Sequence, residues 1–280
     1  MRSLAQAAGW DAGRVAVAAL GTAGVAGVFG DEGHRFAWAS VTKPATALAV
    51  LVATEEGVVS LDDPVGPPGA TLAHLLAHAS GLSPDDPGRV LAAPGTRRIY
   101  SNVGIELAAA HLERRAGVAF GAYLAEAVLG PLQMTTARLV GSPAHGLEGR
   151  IADLCALAAE CLSPRLLHPD TFARATTVVL PGLAGVLPGF GRQDPCDFGL
   201  GFEVKGRKDP HWTGRGCSPA TFGHFGQSGS FLWVDPTLPL AGVGLAERPF
   251  GEWAKAAWPA LADDLVAELA PDRDVPGAPL

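Results

Sequence analysis

Ser40-Val41-Thr42-Lys43 reads S-x-x-K and opens residues 44–55, a run made mostly of Ala, Leu and Val. On a helix, positions i and i+3 share a face, so Ser40 and Lys43 are placed to touch. A hydroxyl becomes a useful nucleophile when a neighbouring group takes its proton. A neutral lysine amine within hydrogen-bond reach can do that. The lysine is electrically out of place, because the first turn of a helix favours anions and a capping box would put Glu or Gln there. Burial and the helix dipole both lower its pKa. A drop of about 3 units, worth about 4 kcal/mol, leaves an appreciable neutral fraction at neutral pH. The plainer alternative is an N-cap serine followed by a lysine whose stem lies along the helix surface.

Two further clusters stand downstream. Tyr100-Ser101-Asn102 follows Pro94-Gly95 and precedes a helix starting at Val103. In an extended segment i and i+2 point the same way, so Tyr100 and Asn102 can share one surface. Asn102 also suits an N-cap, and an aromatic residue before a helix often packs into a core. Phe222-Gly223-His224-Phe225-Gly226-Gln227-Ser228-Gly229-Ser230 runs into a strand at residues 231–234. Its glycines permit close backbone approach. A glycine-flanked strand edge can hold a substrate and offer a backbone N–H to a developing oxyanion. The alternative is an ordinary glycine-rich loop with a solvated histidine. The run is not a G-x-S-x-G elbow, since position 230 is Ser.

The elements that must position these clusters follow a strands, helices, strands, helix order. Residues 14–20 and 25–29 read as strands around Gly21-Thr22-Ala23-Gly24 and feed the Ser40 helix. Helical texture covers residues 71–78, 103–115 with Gly117 beyond its end, 119–129, 150–162 and 170–176. Residues 181–195 are rich in Gly and Pro and read as a loop. Residues 198–205 alternate weakly, 231–234 and 240–245 form a hairpin around Asp235-Pro236-Thr237, and 252–269 is a long final helix. We therefore expect an α/β (α+β) fold, with an antiparallel sheet built from both ends of the chain and flanked by helices. The expected organisation is a discontinuous sheet domain (1–58 and 196–270), a mainly helical region (59–195) and a flexible tail (271–280).

Composition narrows the classes. The 280 residues carry 21 Lys and Arg against 28 Asp and Glu, a net charge of −7, so a nucleic-acid partner is not expected. No apolar run is long enough for a bilayer, and the first residues lack the apolar core of a signal peptide, so a cytoplasmic location and no membrane partner are expected. Cys155, Cys161, Cys196 and Cys217 form neither a C-x-x-C pair nor a zinc-spaced cluster, so no metal or cofactor is expected. The glycines at 21, 24, 27 and 30 match no phosphate-binding loop.

S-x-x-K, then Y-x-N, then H-x-G before a late strand resembles the serine β-lactamase and penicillin-binding-protein superfamily. The resemblance is to the branch of class C β-lactamases, family VIII esterases, D-alanyl-D-alanine carboxypeptidases and D-aminopeptidases. Phe36-Ala37-Trp38-Ala39 before Ser40, Leu61-Asp62-Asp63-Pro64-Val65, Leu75-Leu76-Ala77-His78-Ala79-Ser80-Gly81-Leu82 and Gly130-Pro131-Leu132-Gln133-Met134 extend it over about residues 12–270.

The resemblance implies a β-lactamase/transpeptidase-like fold and an acyl-enzyme on Ser40. Lys43 and Tyr100 would share the proton, with Tyr100 ionised or nearly so. The backbone N–H groups of Ser40 and Gln227 would form the oxyanion hole. Asn102 would orient Lys43 and, with His224, Phe225 and Gly226, contact a small-molecule substrate. Where related enzymes carry K-T-G or K-S-G, this chain has His224-Phe225-Gly226. A neutral histidine can donate a hydrogen bond but lacks a permanent cation for a carboxylate. That favours neutral esters, amides or lactones over β-lactams. A class C-type β-lactamase or D-amino-acid peptidase remains the alternative. A non-catalytic binding protein is disfavoured, because Ser40, Lys43, Tyr100 and Asn102 are all present.

Overall fold

The computed structural model describes residues 1–270; the expected tail at 271–280 lies outside the described residues. Strands β1 (Val15–Gly21) and β2 (Gly24–Gly30) form the expected hairpin. The short β3 (Phe36–Ala37) leads through a 3₁₀ turn (Ala39–Val41) into α1 (Thr42–Glu55). Helices α2 (Leu72–Leu76), α3 (Asn102–Ala116) and α4 (Phe120–Leu124) follow, the last continuing as a π turn over Ala125–Leu129. Strands β4 (Arg138–Leu139) and β5 (Leu147–Gly149) complete a small sheet with β3, in which β5 lies between β3 and β4. Next come α5 (Ile151–Leu162), α6 (Pro169–Thr176) and a small hairpin, β6 (Gly185–Leu187) with β7 (Gly191–Gln193). Strands β8 (Glu203–Val204), β9 (Phe222–Gly226), β10 (Ser230–Asp235) and β11 (Leu240–Ala246) precede α7 (Glu252–Leu269).

The main sheet has six strands in the order β2-β1-β11-β10-β9-β8, with every pairing antiparallel. The two ends of the chain meet at β1 and β11, from Val15 opposite Ala246 to Leu20 opposite Ala241. Alternate strand residues go to opposite faces. Ala16, Ala18 and Leu20 join the core that includes α1 and α5. Val17, Ala19 and Trp233 pack with Trp258, Leu261 and Leu265 of α7. With both faces covered, β1, β10 and β11 are buried almost end to end, which is why they read as continuous apolar runs rather than alternating ones.

Three readings need correction. Residues 181–195 carry the β6–β7 hairpin, because hydrogen bonding there needs no alternating apolar pattern at an exposed surface. The weak strand at 198–205 narrows to Glu203–Val204. Phe222–Gly226, expected as a glycine-flanked strand edge, is an inner strand between β8 and β10. Helix α5 falls within the stretch expected to be a helical region, yet it packs on β1, β10 and β11. Its apolar face supplies Leu154, Leu157 and Ala158 to the core under the sheet.

Candidate active site

Ser40 occupies the 3₁₀ turn just before α1, and Lys43 lies in the first turn of that helix. The turn is fixed from two sides. The β9–β10 connection supplies Ser228 Oγ, which donates to the Ala37 carbonyl at 2.7 Å, and Ser230 Oγ, which donates to the Trp38 carbonyl at 2.6 Å. From the other side Leu147 N donates to Thr42 Oγ1 at 2.9 Å, and Thr46 Oγ1 donates to the Pro143 carbonyl at 2.6 Å. Gly226 is where β9 meets this turn. A Cβ there would run into Ser230 Oγ and the Trp38 carbonyl, so only glycine allows the approach.

Lys43 is fully buried. Its Nζ lies 3.1 Å from Ser40 Oγ, 2.6 Å from Asn102 Oδ1 and 3.0 Å from the Ala144 carbonyl. It also sits over the Tyr100 ring, 4.7 Å from the centroid. Burial lowers its pKa from 10.5 to about 7, against the opposing pull of Asp85 and Glu106. The Ala144 carbonyl is itself placed by its loop: Ala144 N donates to Ser142 Oγ at 3.0 Å, and Ser142 Oγ donates to Glu106 Oε1 at 2.6 Å. Neither Ala144 nor Ser142 carries a motif signal, since any residue can contribute a carbonyl.

Asn102 is not the N-cap of α3. Ser101 caps the helix, its Oγ accepting from Gly104 N at 3.0 Å and donating to the Ser83 carbonyl at 2.7 Å. That leaves the Asn102 amide available to the site. Its Oδ1 accepts from Lys43, and its Nδ2 donates to Asp85 Oδ1 at 2.7 Å. Both ends of the amide are thus engaged within the protein.

Tyr100 shares a side-chain hydrogen bond with Ser40, but burial pushes its phenol pKa up. An ionised Tyr100, as the resemblance implied, does not match this environment: the phenol holds its proton. Its ring lies between two imidazoles, with His78 at 4.6 Å and His224 at 5.7 Å between centroids. His78 carries no signal of its own in the sequence beyond its place in residues 75–82. It is buried, its Nδ1 accepts from Ser101 N at 3.1 Å, and burial holds it well below the usual histidine range.

His224 is buried, and its pKa falls to about 3, mainly through desolvation. Its Nδ1 lies 2.7 Å from the Phe225 carbonyl, which can only accept, so Nδ1 carries the proton and Nε2 presents a lone pair. The expected hydrogen-bond donor at this position is therefore an acceptor, and Nε2 is buried with no hydrogen-bond partner. Phe225 packs against Phe250 at 4.8 Å and Trp258 at 6.0 Å, tying the third cluster to α7.

Two chambers meet at Ser40. A cavity of about 350 Å³ includes Tyr100, Leu187, Phe198, His224, Phe225 and Gln227 in its walls. A groove of about 970 Å³ is bordered by Asp85, Leu91, Arg97, Asn102 and Val186. Ser40, Tyr100, Pro188 and Gln227 line both. The three sequence clusters thus converge, with Ser40 from the 3₁₀ turn and Lys43 from the first turn of α1, Tyr100 and Asn102 from the start of α3, and His224 to Gln227 from the end of β9 and the residue after it. Arg98, beside the groove, is buried, with its guanidinium donating to the carbonyls of Ala77, Val179, Leu180 and Cys196, so its charge serves the fold.

An antiparallel sheet flanked by helices, with Ser40 and Lys43 at the mouth of a buried helix, defines the class of protein. The chain matches the Beta-lactamase family over residues 5–267, and it belongs to that family. It is similar to a beta-lactamase from Mycobacterium bovis, with 51% identity and a TM-score of 0.94 over 95% of this chain and 99% of that one. It is 28% identical over 137 residues to Penicillin-binding protein 4* of Bacillus subtilis, a match spanning 37% of this chain and only 30% of that protein. EstCE1, described as a hydrolase with promiscuous acyltransferase activity, shares the fold at 17% identity and a TM-score of 0.78, over 94% of this chain and 96% of that one. Among the described residues no helix is long and apolar enough to cross a membrane.

Proposed function

We propose that the chain is a serine hydrolase that forms an acyl-enzyme on Ser40, with Lys43 as the proton acceptor. The observation that carries this reading is the surroundings of Lys43 Nζ. A neutral amine has two N–H donors and one lone pair. Asn102 Oδ1 and the Ala144 carbonyl can only accept, so they take the two N–H bonds. The lone pair is left for the third neighbour, Ser40 Oγ. A pKa of about 7 makes roughly half the amine neutral near pH 7.

In acylation the Ser40 Oγ–carbon bond forms, the Ser40 proton passes to Lys43, and the substrate's bond to its leaving group breaks. Tyr100, a protonated phenol bonded to Ser40, relays a proton to the departing oxygen or nitrogen and is reprotonated from Lys43. In deacylation water attacks the acyl carbon, its proton returns along the same groups, and Ser40 is released. The backbone N–H groups of Ser40 and Gln227, two residues that line both chambers, are assigned to the oxyanion. A cavity that sets Leu187, Pro188, Phe198 and Phe225 around the site, with the Glu203 carboxylate in its wall, and an uncharged His224 favour neutral esters, amides or lactones.

A second reading, β-lactam hydrolysis, is favoured by the description of the 51% identical relative as a beta-lactamase. Arg97, bordering the groove, is the charge that a β-lactam carboxylate would meet. A fluorophosphonate probe followed by intact-mass and peptide mass spectrometry tests the main reading. We expect one adduct, on Ser40, absent in Ser40→Ala. An unlabelled wild type, or labelling unchanged in the variant, refutes it. Parallel turnover of p-nitrophenyl esters and nitrocefin then separates the two substrate readings.

A further inference from the structure

The Lys43 arrangement works only while the Asn102 amide keeps its oxygen toward the amine. An amide can turn over, presenting its NH₂ instead. A donor facing Lys43 would claim the lone pair that Ser40 needs. Something must therefore hold the amide in one orientation, and one group is placed to do so. Asp85 Oδ1 lies 2.7 Å from Asn102 Nδ2, and a carboxylate can only accept. The loop that carries it is anchored at the same helix start, where Asn102 N donates to the Pro84 carbonyl at 2.8 Å and Ser101 Oγ to the Ser83 carbonyl at 2.7 Å.

We propose that Asp85 is a positioning residue: it locks the Asn102 amide with its oxygen toward Lys43, and its charge tunes the amine. This rests on the serine-hydrolase reading above. Asp85 is exposed and borders the groove at Ser40, so it reaches the buried amine only through Asn102 and through space. The other titratable groups facing Lys43 are Glu106 of α3, whose charge acts in the same sense as that of Asp85, the phenol of Tyr100, and the imidazoles of His78 and His224. Arg97 borders the same groove. The signs then separate two effects. Removing the carboxylate charge makes Lys43 easier to deprotonate, so the acidic limb of the pH profile moves to lower pH. Removing the acceptor frees the amide to turn, so the plateau falls.

The test is the pH dependence of kcat/KM for a p-nitrophenyl ester in wild type, D85N and D85A, with melting curves to confirm folding. Asparagine drops the charge and keeps an acceptor; alanine drops both. We expect D85N to shift the midpoint to lower pH, with a smaller loss of plateau. We expect D85A to show the same shift with a plateau about 10- to 100-fold below wild type, the scale of a misplaced catalytic group. A residue with a merely structural role would lower the plateau without moving the midpoint. Titration of the Lys43 side chain by ¹³C NMR, one of only four lysines, reads the midpoint without turnover. A D85A profile that overlies wild type in plateau and midpoint overturns the proposal. A wild type that is never labelled on Ser40 overturns the parent reading instead.

Discussion

Replacing Lys43 with methionine isolates the chemistry of the amine without any substrate. In the folded protein burial brings this pKa to about 7, while the unfolded chain keeps the ordinary 10.5. Below about pH 7 both states hold the proton, and the folded state bears the full penalty of a buried charge. Between the two values the unfolded chain binds the extra proton, so wild-type stability rises with pH by up to about 1.4 kcal/mol per unit. From about pH 7.5 to 9.5 the gain integrates to about 2.5 kcal/mol. Methionine is similar in length and does not titrate. It leaves Asn102 Oδ1 and the Ala144 carbonyl without their donor, but that cost is the same at both pH values. Groups common to both proteins cancel in the difference. Urea unfolding of wild type and Lys43→Met at the two pH values should show the wild type gaining about 2.5 kcal/mol on the variant. A difference that stays constant within error would mean that Lys43 titrates as an ordinary surface amine, and the proton acceptor would be lost from the mechanism.

Two further outcomes follow from the same site. The kcat/KM of the wild type should rise with pH through a midpoint near 7, falling about tenfold per unit below it. No second inflection should come from His224, which stays neutral down to about pH 3; a profile flat between about pH 5.5 and 8.5 would contradict the assignment of Lys43. Gly226→Ala should cost about 1–3 kcal/mol and most of the activity, because its methyl displaces the Trp38 carbonyl and Ser230 Oγ that seat the Ser40 turn. Unchanged melting and turnover would show that β9 does not brace that turn.

The parts of this molecule that could be read in advance are those whose physics is local. The long final helix carries its period over 18 residues and matches its expected bounds, and Gly117 ends α3 in the left-handed conformation that glycine tolerates. Ser40 and Lys43 were readable because helical spacing alone puts them side by side. The limits of β8 and the inner position of β9 were not, since their pairing depends on partners elsewhere in the chain. The β6–β7 hairpin was hidden in a glycine- and proline-rich stretch with no periodicity to show it.

The site divides along the same line. Among the side chains proposed to move protons, lysine and tyrosine are residue types few enough to stand out, Lys43 being one of four lysines and Tyr100 one of two tyrosines. The groups that fix Lys43 do not. Ala144 contributes a carbonyl that any residue would carry, and Ser142 and Glu106 hold it through bonds set by a loop. Asp85 is one acidic residue among 28, and only the fold puts it opposite Asn102. Taking Asn102 as a helix cap follows from propensity, but Ser101 makes the better-placed bond to Gly104 N and releases the amide. A serine and a lysine three residues apart are therefore not enough to make a base. Two acceptors must occupy the amine's hydrogens before its lone pair is committed to the serine, and the fold brings those acceptors from residues 59 and 101 positions away along the chain.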